Sequence, residues 1–555
     1  MYRKRADKNM LNQYVRDLKK EFTGYNTSKF MKDLLAGITV TAVALPLALA
    51  FGVSSGADAA AGLITAIVAG FFISALSGGY YQISGPTGAM AAILMSITAS
   101  YHIQGVFIAT LLAGILLLLA GVLHLGKITS WIPAPVITGF TSGIAIIIAL
   151  GQVDNFFGVT SEGETAIARL ISYFKLGFAP DYASVCLGIF VVLFMIFYPK
   201  KLSSIVPASL VAIILATMTS IVLQLDVKMV GEIPKTLLPK ERLHLTDIHM
   251  QQIKGLFAPA VSIAMLGMIE SLLCGASAGR MAKAAMNSDQ ELVAQGIGNI
   301  ILPFFGGIPA TAAIARTSVA IKSGAQTRLT GIFHAVGLLL AMFALGPFMS
   351  KIPLAALAGV LMVTAWRMNE WSAIQYIFSH KFTGAMLKFF ITMAATVILD
   401  LTMAIVIGIL VGLVLFIVRS TAIEITAEDI KPERIGMKDY TIENGCVIYV
   451  TGPMFFMTAD TLNQKLKEIK EKNLVIFSLR GVPMADITSV GILLDFYKQA
   501  KTEGKQVVFS SLQPSVRRIF EQAGLVETAG EKTFYFSVDK VLKEMLVVNA
   551  KPVKA

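Results

Sequence analysis

The chain has 555 residues, 55% of them hydrophobic and only 15% charged, with a formal charge of +12. Soluble domains carry about a quarter charged residues, so composition excludes a soluble globular protein over most of the length. Three cysteines, at 186, 274 and 446, exclude a disulfide framework and a cysteine metal cluster, and in so apolar a chain the basic excess reads as membrane topology, not nucleic-acid binding.

The first 33 residues are polar and basic, and no short apolar region with a cleavage site follows, so the first span is expected to stay in the protein. Uncharged runs then cover Ala59 to Gly126, Ile128 to Val153 and Leu329 to Ser350. Each is long enough for one or more spans of about 20 residues. Apolar patterning predicts 14 segments: 33–53, 59–77, 87–99, 104–123, 133–151, 182–198, 205–224, 257–278, 290–304, 311–321, 329–346, 352–365, 384–399 and 402–418. Basic residues precede the first segment (Arg3, Lys4, Arg5, Lys19, Lys20). They also follow the even-numbered ones: Lys127, Lys200, Lys201, Arg280, Lys283, Lys322, Arg328, Arg367, Lys381 and Arg419. That order predicts a multi-pass protein with both termini cytoplasmic and larger outside connections at 154–181 and 225–256. Asp400, between the last two segments, reads as a gate-domain or outer-boundary residue.

After Arg419 the apolar density drops. Strands are predicted at Val447–Val450, Leu474–Phe477 and Val507–Phe509, and helices at Ala459–Ile469, Val490–Lys501 and Pro514–Ala523. This is a small soluble α/β domain on the cytoplasmic face.

Two Gly-Pro breaks stand 223 residues apart, Ser84-Gly85-Pro86-Thr87-Gly88 and Gly306-Gly307-Ile308-Pro309-Ala310-Thr311, each leading into a short apolar segment. Paired interruptions in the two halves of a membrane protein point to a transporter's substrate site. A broken span exposes backbone N–H groups that must be satisfied by protein, water or solute, and two helix N-termini facing one cavity would seat an anion. The same offset carries Pro46 to position 269, beside Glu270, so the first span corresponds to Pro259–Gly267. Seven segments used twice invert their topology on duplication. No Gly-x-x-x-x-Gly-Lys-Ser/Thr motif supplies ATP energy, leaving an ion gradient.

Single residues stand out. Glu270 lies in an otherwise apolar span, where a carboxylate is costly and functional by default. It can ligate Na⁺, carry a proton or pair with Arg316. Ser262, Cys274, Gly307 and Thr311 are candidate neighbours, although a thiol is a poor ligand for a hard cation. Arg316, about two helical turns past Pro309, suits an oxyanion or else snorkels to the cytoplasmic surface. Thr87, Gly88 and Ala89 open one short helix, with Pro86 in its first turn, and Ala310, Thr311 and Ala312 open the other. Tyr80, Tyr81 and Gln82 precede the first break, Gln82 being the stronger pocket candidate. In the C-terminal domain Asp486 is a cap or turn residue.

Asp33-Leu34-Leu35-Ala36-Gly37, Gln82-Ile83-Ser84-Gly85-Pro86-Thr87-Gly88-Ala89-Met90, Asn287-Ser288-Asp289-Gln290-Glu291-Leu292 and the second break followed by Ile314-Ala315-Arg316-Thr317 together resemble the sulfate permease (SulP) family of anion transporters, from about Phe30 to the end. The tail resembles its regulatory STAS domain. The resemblance implies a polytopic α-helical membrane protein with a 7+7 inverted-repeat fold and no enzymatic role. Segments 1–4 and 8–11 form a core that moves, elevator-like, against a gate of segments 5–7 and 12–14. The implied layout is a cytoplasmic segment at 1–29, a transport domain at 30–420 (repeats near 30–225 and 255–420) and a STAS domain at 436–550. It also implies a homodimer in the bacterial inner membrane, with the anion between the N-termini of segments 3 and 10. The implied anion-site residues are Gln82, Thr87, Gly88, Ala89, Ala310, Thr311, Ala312 and Arg316. The implied coupling-ion residues are Glu270, Cys274, Gly307 and Thr311, with Glu270 as the sodium ligand.

By motif the chain is similar to bacterial sodium-dependent bicarbonate transporters, which makes Na⁺-coupled bicarbonate import the first expectation. The alternative is H⁺-coupled uptake of a dicarboxylate or sulfate, or anion exchange. No cofactor beyond Na⁺ or H⁺ and no nucleic acid is expected. A nucleobase symporter or an anion channel of the same fold is a reading of another class. Family members commonly carry Gln where this chain has Leu47, near Ala44, and Asp where it has Gly279. Bacterial antagonist relatives of the STAS domain have a phosphorylated hydroxyl residue where this chain has Ile487, before Thr488 and Ser489.

Overall fold

The computed structural model describes residues 10–127, 132–163, 166–199, 202, 206–399, 401–421, 423–430, 440–441, 444–549 and 551–552. Arg3, Lys4, Arg5, Lys200, Lys201, Asp400 and the expected domain start at 436 lie outside them. The chain forms two compact units, Met1–Val411 and Gly412–Ala555, divided within the last apolar helix.

In the first unit, helices α1 (Met10–Glu21), α2 (Thr27–Ser54) and α3 (Ala59–Leu76) lead to a two-residue strand β1 (Ser84–Gly85). Side-chain caps start α2 and α3: Asn26 accepts from the Lys29 amide at 3.0 Å and Asp58 from the Ala61 amide at 2.6 Å. Helices α4 (Gly88–Val122), α5 (Ala134–Gly151), α6 (Val153–Phe157), α7 (Ala166–Leu176), α8 (Tyr182–Phe197), α9 (Ala208–Val222), α10 (Met250–Ala282) and α11 (Ser288–Ile301) follow. Then come strand β2 (Thr311–Ala312) and helices α12 (Ile314–Lys322), α13 (Leu329–Met349), α14 (Leu354–Met368), α15 (Trp371–Ser379), α16 (Thr383–Ile398) and α17 (Leu401–Ser420). Among the described residues six helices are long and apolar enough to cross a membrane, with shorter apolar helices beside them. The protein is polytopic.

The expected third and fourth segments are one run, α4, broken at His102, where φ is 55° and ψ −172°. Neither Pro nor Gly marks this break, so periodicity alone placed it only as a gap between segments. Helices α1, α7 and α15 were not expected; they are short and lie outside the apolar runs. Pro86 is not in the first turn of α4, because Thr87 is the N-cap and the proline lies before it. Arg316 is not two turns past the break: β2 intervenes, and Arg316 sits in the first turn of α12.

Packing sorts the helices into two sets. Helix α4 lies along α10 and α11, α13 along α2 and α3, and α12 against α10 and α2. Helix α5 packs with α14 and α16, and α8 with α9 and α14.

At one end of α3 and α13 a polar knot holds α1. The Arg328 Nε donates to Glu21 Oε2 at 2.7 Å and its amide to Glu21 Oε1 at 2.7 Å, while Nη1 reaches the Ala75 carbonyl at 3.0 Å. Tyr14 donates to the same carbonyl at 2.6 Å. Fully buried Asp33 accepts from the Gln326 and Thr327 amides and from the Thr327, Thr330 and Tyr25 hydroxyls. Removing one partner of a buried ion pair leaves an uncompensated charge at a cost of about 3–5 kcal/mol. Glu21→Ala is therefore expected to lower the melting temperature of the detergent-solubilised protein sharply, whereas Lys20→Ala, at an exposed position of α1, leaves it near wild type.

The second unit carries a five-stranded sheet in the order β3 (Glu424–Asp429), β4 (Gly445–Thr451), β5 (Leu474–Gly481), β6 (Gln506–Ser510), β7 (Phe534–Tyr535). The β3–β4 pair is antiparallel and the rest parallel. Helices α18 (Ala459–Glu468), α19 (Ile487–Thr502) and α20 (Pro514–Gln522) match the expected ones, and α21 (Val538–Asn549) was not foreseen. Alternate strand residues face two cores: Ile448, Val475, Phe477 and Phe509 on one side, Val447, Ile476 and Val508 on the other. Asp486 caps α19, accepting from the Ser489 amide at 2.9 Å and the Phe456 amide at 2.8 Å. Burial opposes its charge, but these donors hold its carboxyl below the usual range. The cap's contribution is thus present at neutral pH and lost as pH falls through that lowered value.

Candidate substrate site

The two Gly-Pro breaks meet. Strands β1 and β2 pair antiparallel, Ser84 opposite Ala312 and Gly85 opposite Thr311, and the Ala313 amide donates to the Ile83 carbonyl at 2.9 Å. The short ladder satisfies part of the backbone that a broken span exposes.

Side chains from other helices satisfy more of it. Asn299 of α11 clasps Ala310, donating to its carbonyl at 2.9 Å and accepting from its amide at 2.8 Å. The Thr65 hydroxyl of α3 accepts from the Ile308 amide at 2.7 Å. Ser271 of α10 exchanges a hydrogen bond with Thr311 at 2.8 Å and accepts from the Ala312 amide at 3.3 Å. On the first break, Gln295 donates to Ser84 Oγ at 2.9 Å and to Glu291 Oε1 at 2.9 Å. Fully buried Glu291 also accepts from the Ser77 hydroxyl at 2.6 Å and the Gly78 amide at 3.1 Å. Thr317 of α12 accepts from the Ile83 amide at 3.0 Å.

Arg316, 1% exposed, stands where these parts converge. Its Nη2 donates to the Pro86 carbonyl, and its Nη1 is buried without a partner. Burial excludes the surface-snorkelling role. A Cβ on Gly85 would lie 2.4 Å from Nη1 and one on Gly88 2.2 Å from Ile148 Cδ1, so glycine at both places is a matter of space. Thr87 caps α4 and donates to Glu270 Oε2 at 2.9 Å. Glu270 is partly buried and, among the described residues, forms no direct ion pair with Arg316.

Of the expected site residues, Thr87, Gly88, Glu270 and Arg316 are together, with Thr311 and Ala312 on β2 behind them. Gln82 donates to the Ser271 carbonyl at 2.8 Å and leaves Oε1 buried and unpartnered. Ala89 is fully buried one residue into α4. The Gly307 amide is used locally, donating to the Leu302 carbonyl at 2.9 Å. Cys274 donates to Thr317 at 3.2 Å, and Ser262 bonds the Ala258 carbonyl at 3.1 Å, two turns from Glu270. Leu47 is buried.

Ile148 of α5, not singled out in the sequence, closes over the start of α4 with Phe51 in a narrow cleft that also contains Met95 and Gln152. Gly85→Ala drives a methyl into the guanidinium and is expected to lower anion uptake in vesicles about tenfold, equivalent to about 1.4 kcal/mol. Gly491→Ala in α19, whose Cβ would meet nothing within 4 Å, serves as the control.

Comparison with known proteins fixes the family. The sulfate permease family matches residues 30–395 and the STAS domain residues 437–540. YvdB of Bacillus subtilis (strain 168), named as a candidate sulfate transporter, is 34% identical over 531 residues, covering 94% of this chain and 98% of its own. The solved transmembrane domain of a cyanobacterium bicarbonate transporter, BicA, is 32% identical with a TM-score of 0.64, over 69% of this chain and 98% of that one. The murine Slc26a9 anion transporter in its inward-facing state has a TM-score of 0.83 over 98% and 96%, at 16% identity, which speaks to fold alone. Relatives named for sulfate and for bicarbonate both match over long stretches, so the expected leaning toward the bicarbonate transporters is not supported. The chain belongs to the sulfate permease family: a multi-pass secondary active anion transporter with a C-terminal STAS domain.

Proposed function

We propose that this protein imports a small divalent oxyanion, sulfate or a dicarboxylate, across a bacterial inner membrane with protons as the coupling ion. The observation that carries the reading is the Arg316 guanidinium, anchored through Nη2 and unpartnered at Nη1 in a buried site. A buried donor without an acceptor is costly until one arrives, and a planar guanidinium suits an oxyanion. The N-terminus of α4 adds about half a positive charge beside it, so a second negative charge finds a partner. Thr87, Gly88, Ala89, Thr311, Ala312 and Arg316 surround the anion, with Gln82 and Ala310 shaping the backbone behind it.

Glu270 carries the coupling charge. The groups expected around a sodium ion have protein partners: Cys274 is turned to Thr317, and Thr311 to Ser271 and the Gly267 carbonyl. That favours a proton at Glu270. Similarity to YvdB points the same way on substrate. Sodium-coupled bicarbonate import is the second reading, favoured by the 32% identity to the BicA membrane domain.

The cycle is elevator-like. Segments 1–4 and 8–11 carry the site against segments 5–7 and 12–14, a division supported by the two packing sets and by Ile148 meeting Gly88 across them. The 7+7 inverted repeat is supported by two breaks that meet antiparallel. The transport domain spans 30–420 and the STAS domain 436–550, in a homodimer with cytoplasmic termini.

Uptake of labelled sulfate, fumarate and bicarbonate into proteoliposomes under separate H⁺ and Na⁺ gradients tests this. Sulfate or fumarate accumulating with an inward proton gradient in Na⁺-free buffer is the expected result. Bicarbonate accumulation that requires Na⁺ would replace it with the second reading.

A further inference from the structure

His334 of α13 is fully buried between α2 and α3. Its Nδ1 lies 3.4 Å from Thr41 Oγ1, while its Nε2 is buried with no hydrogen-bond partner. The Thr41 hydroxyl has one proton, and two carbonyls compete for it: Gly37 at 2.9 Å and His334 at 3.2 Å. With that proton on a carbonyl, Thr41 Oγ1 accepts from the imidazole. The imidazole proton then sits on Nδ1, and Nε2 keeps a bare lone pair. The ring's Cδ2 edge faces Gly70 of α3, whose added Cβ would lie 3.6 Å from it. One turn along α3, the Ser74 hydroxyl packs against Gly331 and is likewise buried without a partner.

A buried basic nitrogen whose lone pair meets no donor is a place a proton can go. We propose that His334 Nε2 is a second proton-binding site of the transport cycle, loaded together with the anion. The proposal rests on the reading of the protein as a proton-coupled importer.

The surrounding charges supply the link. Helix α3 has no Asp, Glu, Lys or Arg anywhere in Ala59–Leu76. On α2, the side facing α13 presents Thr41 and, two turns earlier, Asp33, already bonded to Gln326, Thr327, Thr330 and Tyr25. On α13 itself Arg328, at the N-cap, is paired with Glu21. The charge that bears on His334 with one nitrogen left unpartnered is Arg316 of α12; Glu270 bears on the same guanidinium without a direct ion pair among the described residues. Two cations in a low-dielectric core repel strongly. An anion seated on Arg316 offsets its charge and lowers, without removing, the cost of protonating the buried Nε2. Anion and proton therefore bind with positive coupling, reciprocal by linkage. No bond other than N–H is made: the proton comes from water on one side and returns to water on the other.

The test uses purified full-length protein in weakly buffered detergent solution near neutral pH, with sulfate as the ligand and a pH indicator as the readout. Sulfate addition to wild type is expected to draw protons from solution. With Glu270 and His334 both loaded, the apparent sulfate affinity is expected to fall about a hundredfold per pH unit at the steepest part of the alkaline limb, the slope for two linked protons. His334→Gln, which retains a polar group but no basic nitrogen, is expected to lose one of the two protons and to reduce the slope to about tenfold per pH unit. Glu270→Gln is expected to lose the other proton, and the double variant both. His334→Asn is measured alongside, with melting curves, so that one misfolded variant does not decide the result. Proton uptake equal to wild type in both folded His334 variants overturns the assignment while leaving proton coupling standing. Wild type that binds sulfate without taking up protons overturns the proposal outright. Wild type that binds no sulfate brings down the substrate reading and this proposal with it.

Discussion

Arg316→Ala is expected to weaken sulfate binding by about tenfold to a hundredfold, the range for losing hydrogen bonds of about 1.5–3 kcal/mol to a charged group. The residue is 1% exposed, its Nη1 has no protein acceptor, and its Nη2 holds the Pro86 carbonyl just ahead of the α4 cap. The alanine variant thus loses the anion's cationic partner and also frees the carbonyl that shapes the first break. Arg316→Lys is expected to recover part of the affinity, because an ammonium keeps the charge but cannot bond the carbonyl and the anion in one plane. Calorimetry with sulfate on the purified protein, alongside a melting curve, separates the two losses. A folded alanine variant with wild-type sulfate affinity would remove Arg316 from the anion site.

The second large effect is at Glu270. Glu270→Gln keeps the size of the side chain and an oxygen to accept the Thr87 hydroxyl, so the cap of α4 is expected to persist. The variant loses the only change of charge available at that position. Gradient-driven accumulation of sulfate in proteoliposomes is therefore expected to fall to the equilibrium level, while exchange of internal for external anion continues. If wild type instead accumulates anion only with Na⁺, and the variant ignores Na⁺, the carboxylate is a cation site and the second reading of the function applies. Full accumulation by the Gln variant under a proton gradient would leave Glu270 as a structural partner of Thr87.

Several features are legible in the amino-acid sequence. Long uncharged runs place the chain in a membrane, because a soluble element keeps a polar face. The Gly-Pro breaks, Glu270 and Arg316 stand out because Pro interrupts a helix locally and a charge in an apolar run is costly wherever it points. In the C-terminal domain, strand and helix periods were strong enough to place the central strands and three helices within a few residues. The edge strands β3 and β7 and the helix α21 were not placed.

What tertiary structure alone decided are the pairings across the chain. Glu291 meets Ser77 across 214 residues, Arg328 meets Glu21 across 307, and Thr41 meets His334 across 293. Asn299 and Thr65, which clasp the second break, look in sequence like ordinary polar residues in apolar helices. Periodicity reports which face of an element is buried, not which partner it is buried against. The same limit put Pro86 one step too far into α4 and Arg316 too far along its helix, since β1 and β2 exist only as a pair and neither two-residue strand has a pattern of its own. The amino-acid sequence determined that a charge sits in an interrupted span; the meeting of the two interruptions decided that one guanidinium nitrogen would be left there without a partner.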